Sequence, residues 1–208
     1  MKYPNWTRGQ TEALLNKLGG EERAKLFLSG QLVVVPIERV LKPSIIRIDR
    51  ANPFNPAKFI GDGCSIWRGP KDGDGLDGAE EQDKRSLAIT ELDPAKLFLQ
   101  TGLDEEETTV TGEVKRARLL LRAIQADAKI GQWLYVEKGQ ATLRWLHETL
   151  KVTWIEFLGT TLRDPRGSRI AMYLRKRGDG SWDWGFDWLG THRNIGCPAL
   201  GVESNPPA

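Results

Sequence analysis

The sequence is poor in sulfur and imidazole. Cys64 and Cys197 are its only cysteines, and His147 and His192 its only histidines. Two thiols so far apart in the chain make neither a disulfide framework nor a cysteine zinc site; they read as unpaired and reduced. Two histidines exclude a three-histidine metal centre. No apolar run approaches the ~20 residues of a membrane span, and "MKYPNWTRGQ" lacks the apolar segment of a signal peptide. The expectation is a soluble, cytoplasmic protein with no membrane partner. A glycine-rich phosphate loop followed by Lys-Ser or Lys-Thr is missing; "GPKDGDGLDG" is acidic and repels phosphate. Its acids, with Glu80, Glu81 and Asp83, do not fit a calcium loop of EF-hand type, because Leu76 stands where a ligand belongs. They read as a solvated acidic loop. No serine lies in a nucleophile-elbow context, and no cofactor is implied.

What the chain does have is tryptophan and segregated charge. Eight tryptophans in 208 residues raise a modest hydrophobic content of 39%, since each ring can bury on the order of 200 Å². Net charge is only +2, yet residues 72–107 hold twelve acids against three bases, leaving +11 for the rest. Segregated charge of this kind serves either a polyanionic partner or an internal mate for the acidic segment.

The pattern predicts an α+β fold of short helices and a C-terminal three-stranded antiparallel meander with an aromatic inner face. Residues 1–110 form an N-terminal α+β region with the acidic loop, 111–190 three short helices and the sheet, and 191–208 an irregular tail. Thr7 and Gln10 have capping-box spacing for a helix ending at Leu18. "EERAKLFLS" predicts a second helix. "QLVVVPIERVLKPSIIRID" predicts two short strands, one of them "SIIRID", and "SIWRG" allows another. "RSLAITELDPAKLFLQT" reads as strand, turn at Asp93-Pro94, strand. Thr111 caps a helix to about Gln125 with Val114, Ala117, Leu121 and Ile124 as its apolar stripe and Lys115, Arg118 and Arg122 opposite. Asp127 caps the next, which Gly139 ends, and "QATLRWLHETL" makes another.

"TWIEFLGTTLR", "SRIAMYLRKR" and "SWDWGFDWL" are the strands of the meander. Pairing Arg177 with Ser181 sets Leu174, Met172 and Ile170 opposite Trp184, Phe186 and Trp188. The same register sets Arg175 against Asp183 and Tyr173 against Gly185. Pairing Arg163 with Ser168 sets Phe157 against Leu174 and Glu156 against Arg175. The registers sort apolar with apolar and acid with base. The aromatic row of Trp182, Trp184, Phe186 and Trp188 then belongs to the core. Glu156, Arg175 and Asp183 lie on the face left to partners.

Three functional readings follow. The first is a non-enzymatic binding or interaction module using the charged sheet face and the basic helix side, its partner an unknown protein or nucleic acid. The second is a nucleic-acid-binding protein of winged-helix type. There Gln140, Thr142 and Arg144 would read bases, Arg163, Arg166 and Arg169 would carry the hairpin tip to phosphate, and Lys115, Arg118 and Arg122 would add backbone contacts. The third is an enzyme resembling ADP-ribosyltransferases, with Arg68 of "SIWRG" holding a dinucleotide phosphate and Glu91, beside Ser86, as the acid.

The stretches "EEQDKRSLAITELD", "TGE" at 111–113, "DAKI" at 127–130 and "GTTLRDPRGSR" with its Trp-rich strand carry a further resemblance. Spread over about residues 30 to 190, they resemble a family of small soluble proteins of uncultured small-genome bacteria, to which no function is assigned. The resemblance therefore implies no activity, ligand or catalytic residue. In that family an Ile-Pro-Glu-Ser-Trp-Lys stretch precedes the last sheet. Here "VEKGQATLRWLHETL" stands instead.

Overall fold

The computed structural model describes residues 7–18, 20–29, 44–136 and 139–203. The strand expected before Lys42 lies outside them, as does the end of the chain from Ser204. The chain divides into two units, 1–41 and 42–208. In the first, α1 (Arg8–Leu18) and α2 (Glu21–Leu28) are the described elements. The capping box forms as its spacing predicts: the Gln10 backbone N–H donates to Thr7 Oγ1 at 3.3 Å, and the Thr7 backbone N–H donates to Gln10 Oε1 at 2.9 Å.

The second unit runs β1 (Ile46–Arg47), α3 (Pro56–Phe59), β2 (Ser65–Ile66), α4 (Lys84–Leu87), β3 (Glu91–Leu92), a 3-10 turn at Pro94–Lys96 and β4 (Leu97–Gln100). It continues with β5 (Val110–Thr111), α5 (Gly112–Arg122), β6 (Ile124–Gln125), α6 (Ala128–Tyr135), α7 (Gln140–Leu150) and β7 (Trp154–Arg163). Then come β8 (Arg169–Lys176), β9 (Trp182–Trp188), β10 (His192–Arg193) and β11 (Ala199–Val202). A seven-stranded mixed sheet has the order β4-β11-β7-β8-β9, with β2 on β7 and β6 on β11. The fold is α+β, and β7-β8-β9 is its antiparallel meander. Residues 191–203, expected as part of an irregular tail, carry β10 and β11 instead. β11 lies between β4 and β7, parallel to β7, with all four of its residues buried. "ALGV" is too short and too weakly patterned to announce a central strand.

β7 is buried along nearly its whole length because both sheet faces are covered. Ile155, Phe157 and Leu162 join Ile130 and Leu134 of α6 and Leu143 and Leu146 of α7 on one side. Leu158 meets Leu119 of α5, Ala171, Leu189 and Ala199 on the other. Gly131 lets α6 approach closely: a Cβ there would lie 2.9 Å from the Phe157 ring.

The β8–β9 register is the one the sequence predicts, including Tyr173 against Gly185 and Arg175 against Asp183. The β7–β8 register differs. Arg163 pairs with Arg169, Phe157 with Met172 and Glu156 with Tyr173. Two causes act. Asp164 Oδ1 accepts the N–H groups of Arg166 and Ser168, drawing Ser168 into the turn. A bulge between Phe157 and Leu162 then shifts the ladder. The freed backbone of the bulge bonds elsewhere: Leu158 O accepts from Arg116, Gly159 N–H donates to Ala126 O, and Thr161 N–H donates to Glu81 O.

The aromatic row is only half interior. Trp182 is buried, and Trp184 packs on Phe59 with centroids 4.9 Å apart. Phe186 and Trp188 are 41% and 50% exposed. β9 is the edge strand, and the core on that face thins out towards its far end.

Candidate binding cleft

The cleft grows from one buried carboxylate. Asp127 Oδ1 accepts the Lys129 and Ile130 N–H groups at 2.8 and 3.1 Å, capping α6. Its two oxygens also take the Arg50 guanidinium at 3.1 and 2.9 Å, and Ser86 Oγ donates to Oδ2 at 2.7 Å. Arg50 reaches on to the Ser86 and Ile89 carbonyls. The segment that follows Arg50 is thereby fastened to the start of α6. Asn55 caps α3 through its side chain, Pro56 opens it, and the Phe54 and Phe59 rings meet edge-on at 5.6 Å.

Between α3 and α4, β2 pairs with the end of β7 through Ser65–Arg163 and Ile66–Leu162. Trp67 is 2% exposed, and its indole donates to Pro70 O at 3.2 Å. Gly75 lies against that ring at φ +77°, where a Cβ would meet it at 2.5 Å, so only glycine allows the loop this approach. Arg68 donates to Glu80 Oε1 at 2.6 Å, and Gln82 Nε2 donates to Glu80 Oε2 at 2.7 Å.

These segments enclose a cleft of about 720 Å³. Its lining combines Lys58, Lys129, Arg68 and Glu80 with the amides of Asn52 and Gln132 and the apolar surfaces of Phe54, Ile66 and Leu76. Among the described residues Lys58 and Lys129 form no ion pair, whereas Arg68 has Glu80. Cys64 also lines the cleft. Burial, with the negative charge of Asp164 beside it, pushes its thiol up and disfavours the thiolate.

The sequence singled out Arg68, which lies in this cleft, and missed Lys58, Lys129, Gln132 and Glu80. Glu91 is elsewhere, beside Arg47 and lining a different cavity. Ser86 is completely buried against Asp127 and does not face a substrate.

The residues offered to nucleic acid are mostly occupied within the protein. Lys115, expected on an exposed basic side, is fully buried: its ammonium donates to Glu156 Oε2 at 2.6 Å and to the Cys197 carbonyl. Burial lowers its pKa, while Glu156 opposes that shift. Arg118 pairs with Glu107 and Asp104, and Arg122 with Asp104. Arg169 binds Glu81 and Glu113. Arg163 donates to the Asp74 carbonyl. Thr142 is buried, and Gln140 donates to Tyr135 O. Arg144 and Arg166 are exposed. Glu156, expected on the outward sheet face, is 1% exposed and also accepts from Arg193 at 2.5 Å. Arg175 and Asp183 do face each other across β8 and β9, at 3.5 Å.

The acidic segment thus supplies internal mates for the bases. The same pull turns α5 over. Val114, Ala117 and Leu121 point outward, while Lys115, Arg116 and Leu119 point in, because the sheet face beneath carries Glu156 and Glu81 lies beside it. Among the described residues no helix is long and apolar enough to cross a membrane. No protein-family model, curated protein or solved structure matches the chain.

Proposed function

We propose that this protein is a non-enzymatic binding module that takes a small organic anion in the cleft around Arg68. One observation carries the reading. Among the described residues most cations of the second unit are paired with acids, whereas Lys58 and Lys129, at the wall of a cleft with an apolar lining, form no ion pair, Lys129 having only the longer-range charge of Asp49 near it. A volume of about 720 Å³ lies within the ~300–1,000 Å³ range of small-ligand pockets. Three cations against one carboxylate favour an anion, and Phe54, Ile66 and Leu76 favour one with a carbon body. Both cysteines are free, which fits a reducing compartment, and we place the protein in the bacterial cytoplasm.

Thermal unfolding of the full chain against a panel of phosphorylated and carboxylated metabolites tests this. A ligand at ~100 times its Kd raises stability by about 2.7 kcal/mol. The expected result is stabilisation by an organic anion that disappears in Lys58→Ala/Lys129→Ala and in high salt. A panel without effect, or an effect unchanged in the double variant, overturns the reading.

A further inference from the structure

The cleft holds a carboxylate among its cations, and that carboxylate narrows the ligand class. Resting on the anion-binding reading, we infer that the ligand is a phosphorylated sugar or ribonucleotide, whose phosphate lies at Lys58 and Lys129 and whose adjacent hydroxyls donate to Glu80.

A carboxylate has about four acceptor positions, two on each oxygen. Glu80 Oε1 gives one to Arg68 and Oε2 gives one to Gln82. Each oxygen therefore keeps one position, and the residue is exposed at the cleft wall. Two neighbouring acceptors match two neighbouring donors, which is what a vicinal diol presents. An ammonium group is the other possible donor. The Arg68 guanidinium, already 2.6 Å from Glu80, repels a second cation and leaves neutral hydroxyls favoured. The anionic group of the ligand is in turn repelled by Glu80 and drawn to the two lysines. A phosphate monoester carries about −1.5 to −2 charge at neutral pH, close to the charge of two ammonium groups. A single carboxylate carries less charge than the two ammonium groups present, even with Asp49 near Lys129. Phe54, Ile66 and Leu76 remain to receive a base if the ligand has one.

Titration calorimetry of the full chain separates the possibilities. The probes are ribose 5-phosphate, 2-deoxyribose 5-phosphate, AMP, dAMP and phenyl phosphate. The expected result is that each ribose compound binds about tenfold tighter than its deoxy counterpart, the loss of one hydrogen bond to a charged group. Glu80→Gln should narrow that gap while phosphate binding survives, and Lys129→Ala should weaken every phosphate. AMP binding tighter than ribose 5-phosphate identifies a nucleotide, and equal binding identifies a sugar phosphate; both support the inference. Equal affinity for ribose and deoxyribose compounds overturns it and leaves the anion reading standing. No binding by any probe overturns the inference too, while the wider anion panel still decides that reading. The comparison of natural ligands on the unaltered protein needs no variant to fold.

Discussion

The guanidinium carbon of Arg169 lies 4.8 Å from the centre of the Trp67 ring. The same guanidinium donates to both oxygens of Glu81, at 2.6 and 2.8 Å, and to Glu113 at 2.7 Å. Arg116 reaches Glu81 from α5 at 2.5 Å. One carboxylate therefore ties the acidic segment, α5 and β8 together, with the indole that supports the glycine loop lying beneath Arg169.

Glu81→Gln should cost about 2–4 kcal/mol at neutral pH, because the largely buried Arg116 loses its counterion and Arg169 keeps only Glu113. Burial pushes the Glu81 carboxyl up, but the bonds and charge from Arg169 and Arg116 outweigh it and hold the group below its ordinary value of 4.5. A depressed folded-state pKa gives stability that is full above 4.5 and is lost as pH falls through the lower, folded value. Urea unfolding at a series of acidic pH values should show the variant approaching the unaltered protein as pH drops. A difference that stays constant with pH contradicts the assignment.

Glu156→Gln should be more damaging, at about 3–5 kcal/mol, since Lys115 and Arg193 are both buried against that one carboxylate. Replacing Arg175, which is exposed beside Asp183, should cost at most ~1 kcal/mol. Urea midpoints of the two variants check this contrast directly.

The orientation of α5 makes an opposite pair of expectations for two leucines two residues apart. Leu121 is 88% exposed and Leu119 1%. Leu121→Ser should lie within about 0.5 kcal/mol of the unaltered protein. Leu119→Ala should cost about 2–5 kcal/mol. Thermal or chemical melts giving the reverse order would mean that the apolar stripe, not the charged one, faces the sheet.

Gly159→Ala should be severe. Its Cβ would lie 2.2 Å from the Gln125 carbonyl oxygen, a backbone atom that cannot swing aside. A cost of ~3 kcal/mol or more is expected, read as a fall in melting temperature, against little change at Gly178, where nothing lies within 4 Å.

The helices and the meander were legible because their signals are local. Thr7, Thr111 and Asp127 each cap the helix they precede, and the β8–β9 pairing follows from a two-fold alternation that tolerates one register. Orientation was not local. The spacing of Val114, Ala117 and Leu121 names a stripe on α5, but charges from distant segments, Glu81 and Glu156, decide which side turns inward. The β7–β8 register failed for a related reason. A bulge needs partners for its stray backbone groups, and those partners, Ala126, Arg116 and Glu81, are far away in sequence. Of the cleft, Arg68 stood out. Lys58 and Lys129 are ordinary lysines in the sequence, and only the fold brings them to one cleft wall.

The place of β11 bears on how the chain is made. Its four residues bridge β4 and β7, which end 99 and 36 residues before it (199 − 100 and 199 − 163). During synthesis the β7-β8-β9 meander can close on its own, but β4 has no seat against it until 199–202 have emerged. The Asp127 hub and the cleft form from segments made earlier, so both can take shape while the middle of the sheet is still an open seam.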